Sequence, residues 1–410
     1  MRISTLSIGD ELLCGEVVDT NACHIAAKLY DLGARVLRHA TIGDCEEAIA
    51  AALEELASAS DAVVVTGGLG PTPDDMTAAA AARAAGSELV LSNQALQHLA
   101  SFAERIPGGL HPANQRQALV PAGCSLIPNP LGTACGFTFR LGSAQLFFLP
   151  GVPSEMERML EDTVLPALAE RGSQAGRRIT LKLFGISEAA AAAKLEGCLA
   201  VESPVELAYC VKFPEIHLIL RCQARHEESM AAAAAAVRER LGSFIFAQGE
   251  QTMDSVLASL FKKSGLTLAL AESCSGGMIA ARITAEPGSS GYFLEGDVTY
   301  SNQAKTRRLQ VPAELIAAKG AVSAEVASAM AIGARRAAGT DLALAVTGIA
   351  GPDGGTQDKP VGTVFVALAD ATGCRVNGYH FPGDRAGVRS ITCFTALDWL
   401  RKYLLDLHGA

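Results

Sequence analysis

The sequence has no CxxC pair and no cluster of cysteine with histidine at zinc-ligand spacing, which excludes the common structural zinc modules. Its eleven cysteines in 410 residues are too sparse for a disulfide framework and read as reduced thiols. Cys198, Cys210 and Cys222 recur every twelve residues, but without histidine partners they are assigned no metal. No apolar run approaches the roughly 18 residues of a membrane span, and Asp10 and Glu11 interrupt any would-be signal segment. A soluble cytoplasmic chain is expected. Positive charge is in deficit: Lys+Arg 34 against Asp+Glu 43 gives a net charge of -9, which offers no overall attraction to a polyanion and disfavours nucleic acid as a partner. Beyond residue 250 only His380 and His408 occur, so a histidine-based catalytic triad is hard to build there.

What is present is a chain with 49% hydrophobic residues, globular throughout and long enough for two to four domains. To about residue 170, apolar strands alternate with helical segments: strands at 3–8, 35–40 and 62–66, helices at 22–32 and 46–57. Such alternation predicts a parallel sheet covered on both faces, with the ligand crevice at the carboxyl ends of the strands. From 177 to 248 the order is strand, Ala-rich helix, two strands, Ala-rich helix. That order is similar to a KH-like α+β module, although the basic GXXG clamp that grips nucleic-acid backbone is absent. From 251 the alternating pattern restarts. The expected fold class is α/β: two α/β sandwich domains, 1–172 and 251–410, joined by a small KH-like α+β domain at 173–250.

Two loops at strand ends carry the first candidate site. Gly9-Asp10-Glu11 follows the first strand, and Gly67-Gly68-Leu69-Gly70-Pro71-Thr72 follows a buried one. Glycines there let backbone amides approach a phosphate, and the helix start adds partial positive charge. Asp74 and Asp75 follow at once, with Thr77. Paired carboxylates beside a phosphate cradle suit a divalent cation; the competing reading makes Asp74 a helix N-cap and Asp75 a complement to the helix dipole.

At this point SIGDELLCGEVVDTNA, TGGLGPTPDDMT, NQRQALVP, NPLGTACGF and LPGVPSEME together resemble the competence/damage-inducible CinA family, whose first domain is similar to molybdopterin-binding proteins. The resemblance implies a nucleotide pyrophosphatase acting on ADP-ribose, with a divalent metal (Mg, Mn or Co) and potassium. It makes Gly9, Asp10, Glu11, Asn21, Gly67, Gly68, Thr72, Thr77 and Gly151 nucleotide-binding residues, and Asp74, Asp75 and Glu155 metal ligands. Cys135 stands where the family usually has proline. The rival expectation is a nucleotide- or pterin-binding module without turnover.

The second candidate site begins at residues 271–277, AESCSGG, where Ser273 and Ser275 sit on a glycine turn whose backbone donors are open to an anion or oxyanion. Further on, Pro287-Gly288-Ser289-Ser290 and Val298-Thr299-Tyr300-Ser301-Asn302-Gln303-Ala304-Lys305 bring Ser290 and Lys305 within fifteen residues of each other. A serine hydroxyl needs a base, and a lysine neutralised by burial supplies one where histidine is lacking. Amide hydrolysis is the natural chemistry; the competing reading of Lys305 is a solvated helix residue.

AESCSGG, PGSS, VTYSNQAK, GAVS, VTGIAGPDGGTQDKPVGTV and FPGDR resemble nicotinamide-mononucleotide deamidase, the usual C-terminal half of CinA-family proteins. The resemblance implies hydrolysis of nicotinamide mononucleotide to nicotinic acid mononucleotide and ammonia, without a cofactor. Ser290 would be the nucleophile, Lys305 base and then acid, and Tyr300 an aid to Lys305. Ser273, Ser275, Gly276, Ser289, Asn302, Thr347, Gly348 and Arg385 would contact substrate, with Arg389 a rival to Arg385 for the 5′-phosphate and the amides of Ser289 and Ser290 an oxyanion hole. Ser273 and Ser275 remain rival nucleophiles. The family usually has threonine at Ser275, so a hydroxyl is kept. A homodimer is implied. A different class, a non-enzymatic partner protein in competence or DNA repair, is suggested by the family name alone.

Overall fold

The computed structural model describes residues 1–170, 176–200 and 202–407. The first region contributes strands β1 (Ile3–Ile8), β2 (Val36–Ile42), β3 (Ala62–Thr66), β4 (Leu89–Leu91), β5 (Leu119–Pro121), β6 (Ser125–Ile127), β7 (Gly136–Leu141) and β8 (Ala144–Leu149). Its helices are α1 (Asp10–Leu13), α2 (Thr20–Asp31), α3 (Glu46–Ala59), α4 (Thr77–Ala84), α5 (Asn93–Ala103), α6 (Pro153–Met159) and α7 (Leu165–Ala169). One sheet runs β2-β1-β3-β8-β7-β6, while β4 and β5 pair separately. Every residue of β1 and β3 is buried, as expected of central strands covered on both faces. The sheet is not wholly parallel: β7 lies antiparallel to β8, and β6 to β7. Only two residues separate β7 from β8, too few for a crossover, so a hairpin forms.

The middle segment folds as β9 (Gly176–Leu183), α8 (Glu188–Leu195), β10 (Glu206–Lys212), β11 (Glu215–Gln223), α9 (Glu227–Leu241) and β12 (Ile245–Gln248), with sheet order β10-β11-β9-β12. This is the expected α+β order with one strand added.

The last region comprises α10 (Met253–Ser264), β13 (Leu268–Glu272), α11 (Met278–Ala285), β14 (Phe293–Val298), α12 (Asn302–Leu309), α13 (Ala313–Lys319), α14 (Ala324–Ala338), β15 (Leu342–Gly348), β16 (Thr363–Ala369), β17 (Cys374–His380) and α15 (Arg385–Leu407). The sheet order is β14-β13-β15-β16-β17, parallel from β14 to β15 and antiparallel beyond. Leucine and alanine alternate along β13 and β15, and because side chains alternate faces along a strand the two faces differ in depth. Leu268, Leu270, Leu342 and Leu344 pack on one side with residues of α10, α11 and α15. Ala269, Ala271, Ala343 and Ala345 pack on the other with Ala327, Met330, Ala331 and Ala334 of α14. Small residues let α14 lie close. Closer still is its approach to α12: a Cβ at Gly333 would stand 2.0 Å from the Leu309 carbonyl oxygen.

The chain divides into two compact units, Met1–Arg178 with Arg221–Glu227, and Ile179–Leu220 with Glu228–Ala410. No described helix is long and apolar enough to cross a membrane.

Candidate functional sites

In the first unit the carboxyl ends of β1 and β3 open into a cavity of about 410 Å³ lined by Gly9, Glu11, Asp44, Gly67, Gly68, Asp74, Asp75, Gly151 and Glu155. Most of the expected loop residues therefore meet. Gly67 is held at φ 101, and a Cβ there would stand 2.1 Å from the Ile8 carbonyl oxygen, so only glycine lets the two loops close. Several expected ligands are already engaged. Thr77 donates its hydroxyl to the Gly67 carbonyl at 2.8 Å. Asp75 accepts the Gly70 N–H at 2.7 Å and the Thr72 N–H at 2.8 Å, together with the Thr72 hydroxyl. Glu155 accepts from Asn129 Nδ2 at 2.7 Å. Asn21 Nδ2 donates to the Gly151 carbonyl at 2.8 Å, while Asn21 Oδ1 is buried without a partner among the described residues.

Asp44 and Asn129 escaped the sequence reading. Asp44 follows β2, at the same sheet end as Asp10, and accepts the Asp10 N–H at 2.9 Å. Desolvation, with Asp10, Glu11 and Asp74 nearby, pushes its carboxyl above the usual range. The strand-end rule that located the other loops would have located Asp44 too. Cys135, in the position usually held by proline, is buried, and burial pushes its thiol up to about 11.

A resident divalent ion needs several oxygens converging on one point. Among the described residues no group of three His, Cys, Asp or Glu side chains could hold one. With Asp75 spent on its own loop and Glu155 on Asn129, the acidic set does not fit a preformed metal centre.

The second site lies at the carboxyl ends of β13, β14 and β15. Lys305, on α12, is 1% exposed. Its Nζ lies 3.0 Å from Ser273 Oγ and donates to the Thr299 carbonyl at 2.8 Å. Burial lowers its pKa from the ordinary lysine value, because a charged amine is disfavoured where water is excluded. The position follows from local sequence: Ser301 caps α12, accepting the Ala304 N–H at 3.1 Å, and that helix start turns Lys305 inward. The Thr299 hydroxyl is buried without a partner among the described residues.

Around this pair, Arg385 Nη1 donates to the Gly351 carbonyl at 2.7 Å and Nη2 to the Tyr300 hydroxyl at 2.8 Å. Tyr300 is 59% exposed, so the pair forms a rim. Arg389 Nη2 donates to the Ser275 carbonyl at 2.8 Å, and a Cβ on Gly276 would stand 3.4 Å from that same nitrogen. Thr347 is buried and gives its hydroxyl to the Ala321 carbonyl at 2.8 Å; beside it, a Cβ on Gly348 would meet Cys274 Sγ at 3.0 Å.

Not every expected residue joins them. β14 runs parallel to β13, with Phe293 opposite Leu268 and Val298 opposite Glu272. Ser289 and Ser290 lie in a 3-10 turn before Phe293, whereas Lys305 follows Val298. The five steps from Phe293 to Val298, at about 3.3 Å each, span roughly 16 Å. Within one chain, Lys305 therefore meets Ser273 and not Ser290, and the amides of Ser289 and Ser290 belong to the far end of the sheet. Asn302 is exposed and lines a separate cavity of about 450 Å³ with Gln303, Thr306 and Ile316. Part of the expected donor set is also taken: the N–H of Gly277, the last residue of AESCSGG, donates to the Glu272 carboxylate at 2.9 Å, as do those of Ile279 and Ala280 in the first turn of α11, at 3.2 and 2.8 Å. The Ser275 hydroxyl joins them at 2.7 Å.

Residues 4–170 match the probable molybdopterin binding domain, 178–247 the damage-inducible protein CinA KH domain, and 250–404 the CinA C-terminal domain. A CinA-like protein of Citrifermentans bemidjiense is 68% identical, covering 99% of this chain and 98% of that protein. One of Geobacter sulfurreducens is 58% identical over 99% and 100%. Among solved structures, the competence/damage-inducible protein CihA of Agrobacterium tumefaciens is 39% identical, covers 37% of this chain and 93% of that one, and has a TM-score of 0.35. With relatives matching from end to end and three domain models in order, the chain belongs to the CinA family.

Proposed function

We propose that the C-terminal region is a Ser/Lys amidohydrolase that converts nicotinamide mononucleotide to nicotinic acid mononucleotide and ammonia. The observation that carries this reading is the buried Lys305 amine 3.0 Å from the Ser273 hydroxyl. Ser273 Oγ attacks the carboxamide carbon as its proton passes to neutral Lys305. The tetrahedral adduct collapses with cleavage of the C–N bond, and Lys305 returns the proton so that nitrogen leaves as ammonia. A water molecule then gives a proton to the same amine as its oxygen attacks the acyl carbon; the ester C–O bond breaks, that proton passes to Ser273 Oγ, and the product leaves as the carboxylate with its acid proton lost to solvent. Arg385, held at the rim with three of its five N–H groups unspent on these two contacts, offers a fork of donors to the 5′-phosphate.

The first unit is read as a binding module for a phosphate-bearing nucleotide of the ADP-ribose kind, its cavity lined by Gly9, Gly67, Gly68, Gly70 and Gly151 at the strand ends. Because the acidic residues do not fit a preformed ion, this reading gives the unit binding without a metal-dependent cleavage step. The net charge of -9 supports action on small nucleotides and not on nucleic acid; the protein is read as cytoplasmic and, by resemblance, homodimeric.

The deciding experiment measures ammonia release from nicotinamide mononucleotide by the full chain. Ser273→Ala is expected to lose at least about 10²-fold in kcat, Ser290→Ala to keep wild-type activity, and chelator to change nothing. Loss in Ser290→Ala with full activity in Ser273→Ala moves the covalent bond to the far turn; release by neither wild type nor variants ends the amidase reading. For the first unit, ADP-ribose binding and AMP release are followed with and without divalent ion and potassium. Metal-dependent AMP release restores the pyrophosphatase reading.

A further inference from the structure

The carboxylate of Glu272 is 1% exposed, at the last position of β13 and directly before Ser273. A buried carboxylate is costly unless its oxygens are hydrogen-bonded, and this one is met from four sides. Its Oε2 accepts from the Ser275 hydroxyl and from the N–H groups of Gly277 and Ile279, and its Oε1 accepts from Ala280 N–H. It draws the first turn of α11 and the loop before it onto one side chain. Its main chain acts on the other half of the site: the Glu272 carbonyl accepts the Thr299 N–H at 2.8 Å, and the Thr299 carbonyl accepts from Lys305 Nζ. One residue thus fastens the turn that carries the serine and the loop that anchors the amine.

We infer that Glu272 is a positioning residue for the Ser273–Lys305 pair, an internal anion that occupies the donors of the glycine turn and so fixes the line between hydroxyl and amine. The inference rests on the amidase reading of that pair. Two consequences follow. The start of α11 is closed to the substrate's phosphate, which leaves that group to the arginines of α15. And the residue contributes to turnover, not to substrate binding, because its side-chain hydrogen bonds run to the glycine turn and the first turn of α11.

Glutamine at this position keeps the size but presents an NH₂ group to amide N–H groups, so donors face donors. In the full chain, Glu272→Gln is expected to lower kcat for ammonia release at least tenfold while KM stays within about threefold. Glu272→Asp, which keeps the charge on a shorter stem, is expected to recover part of the loss. A second readout needs no nucleotide: the rate at which phenylmethylsulfonyl fluoride labels Ser273, followed by mass spectrometry, is expected to fall in parallel with kcat. Wild-type kcat and labelling in Glu272→Gln overturn the proposal, as does a rise in KM with kcat unchanged. If Glu272→Gln does not fold, the aspartate variant decides by the same two measures. A wild-type chain that is labelled at Ser273 but releases no ammonia refutes the substrate while the labelling series still judges Glu272; a wild-type chain that is not labelled refutes the activated serine, and Glu272's role with it.

Discussion

Among the described residues, Lys305 has a hydroxyl and a carbonyl as its hydrogen-bond partners and no carboxylate, which makes it unlike the paired lysines of the surface. Burial lowers its pKa below the ordinary 10.5, and the sign of the consequence is fixed. The neutral amine is the base, so kcat should climb as pH rises through the lowered pKa and level off beyond it, within a window that closes below 10.5. Stability moves the same way: between the folded and unfolded pKa values the unfolded chain holds the extra proton, so the fold gains stability with rising pH. Lys305→Met should lower kcat by about 10²- to 10⁴-fold while keeping a Tm at or above wild type at neutral pH, read by thermal melts beside the ammonia assay. A fall in Tm together with kcat would mean that the amine is chiefly structural. The sequence showed which hydroxyls and which amine are available. It did not show which pair meets, because the fifteen residues from Ser290 to Lys305 contain a full strand that carries them to opposite ends of the sheet, while Ser273, more than twice as far along the chain, arrives at the same end.

At the scale of elements, the site depends on how α12 is seated. Gly333 on α14 lies against the carbonyl of Leu309 on α12, one turn beyond Lys305. Gly333→Ala should force the two helices apart, destabilising the chain by about 1–3 kcal/mol and lowering kcat by more than the lost fraction of folded protein explains. Chemical denaturation beside kinetics would separate the two effects, and an active, fully stable Gly333→Ala would show that α12 is free to move. The strand and helix alternation, the order of the middle module and the glycine turns were all legible as hydrophobic runs and breakers. The antiparallel edges were less so, since they depend on a two-residue link between β7 and β8 and on the return of β16 along β15. Nor did the pattern show that the Glu272 carboxylate fills the donors of its own turn, because an acidic residue at a strand end reads equally as ligand or as internal cap.

At the scale of the whole molecule, the compact units do not follow the three domain segments: Arg221–Glu227 groups with the first unit although it lies within the KH-like segment. There the Arg221 guanidinium lies 5.3 Å from the Tyr30 ring. Chain order alone could not show that the end of β11 would group with the first unit. The two sites lie in different units without shared residues, so changes in one should not propagate to the other. Asp75→Ala frees the loop from Gly70 to Thr72 and should weaken ADP-ribose binding about tenfold, read by calorimetry, with ammonia release unchanged. Joint loss of both would show that the units work as one. The leucine and alanine faces of the C-terminal sheet carry a last consequence, for how this chain tolerates change. On the leucine side a trimmed side chain leaves a hole that neighbours can partly fill, and the chemistry need not notice. On the alanine side each methyl acts as a spacer whose thickness sets where α14, and with it the amine, comes to rest. Residues that never touch substrate thereby hold a record of the reacting distance, and inheritance should guard that side more strictly than the other.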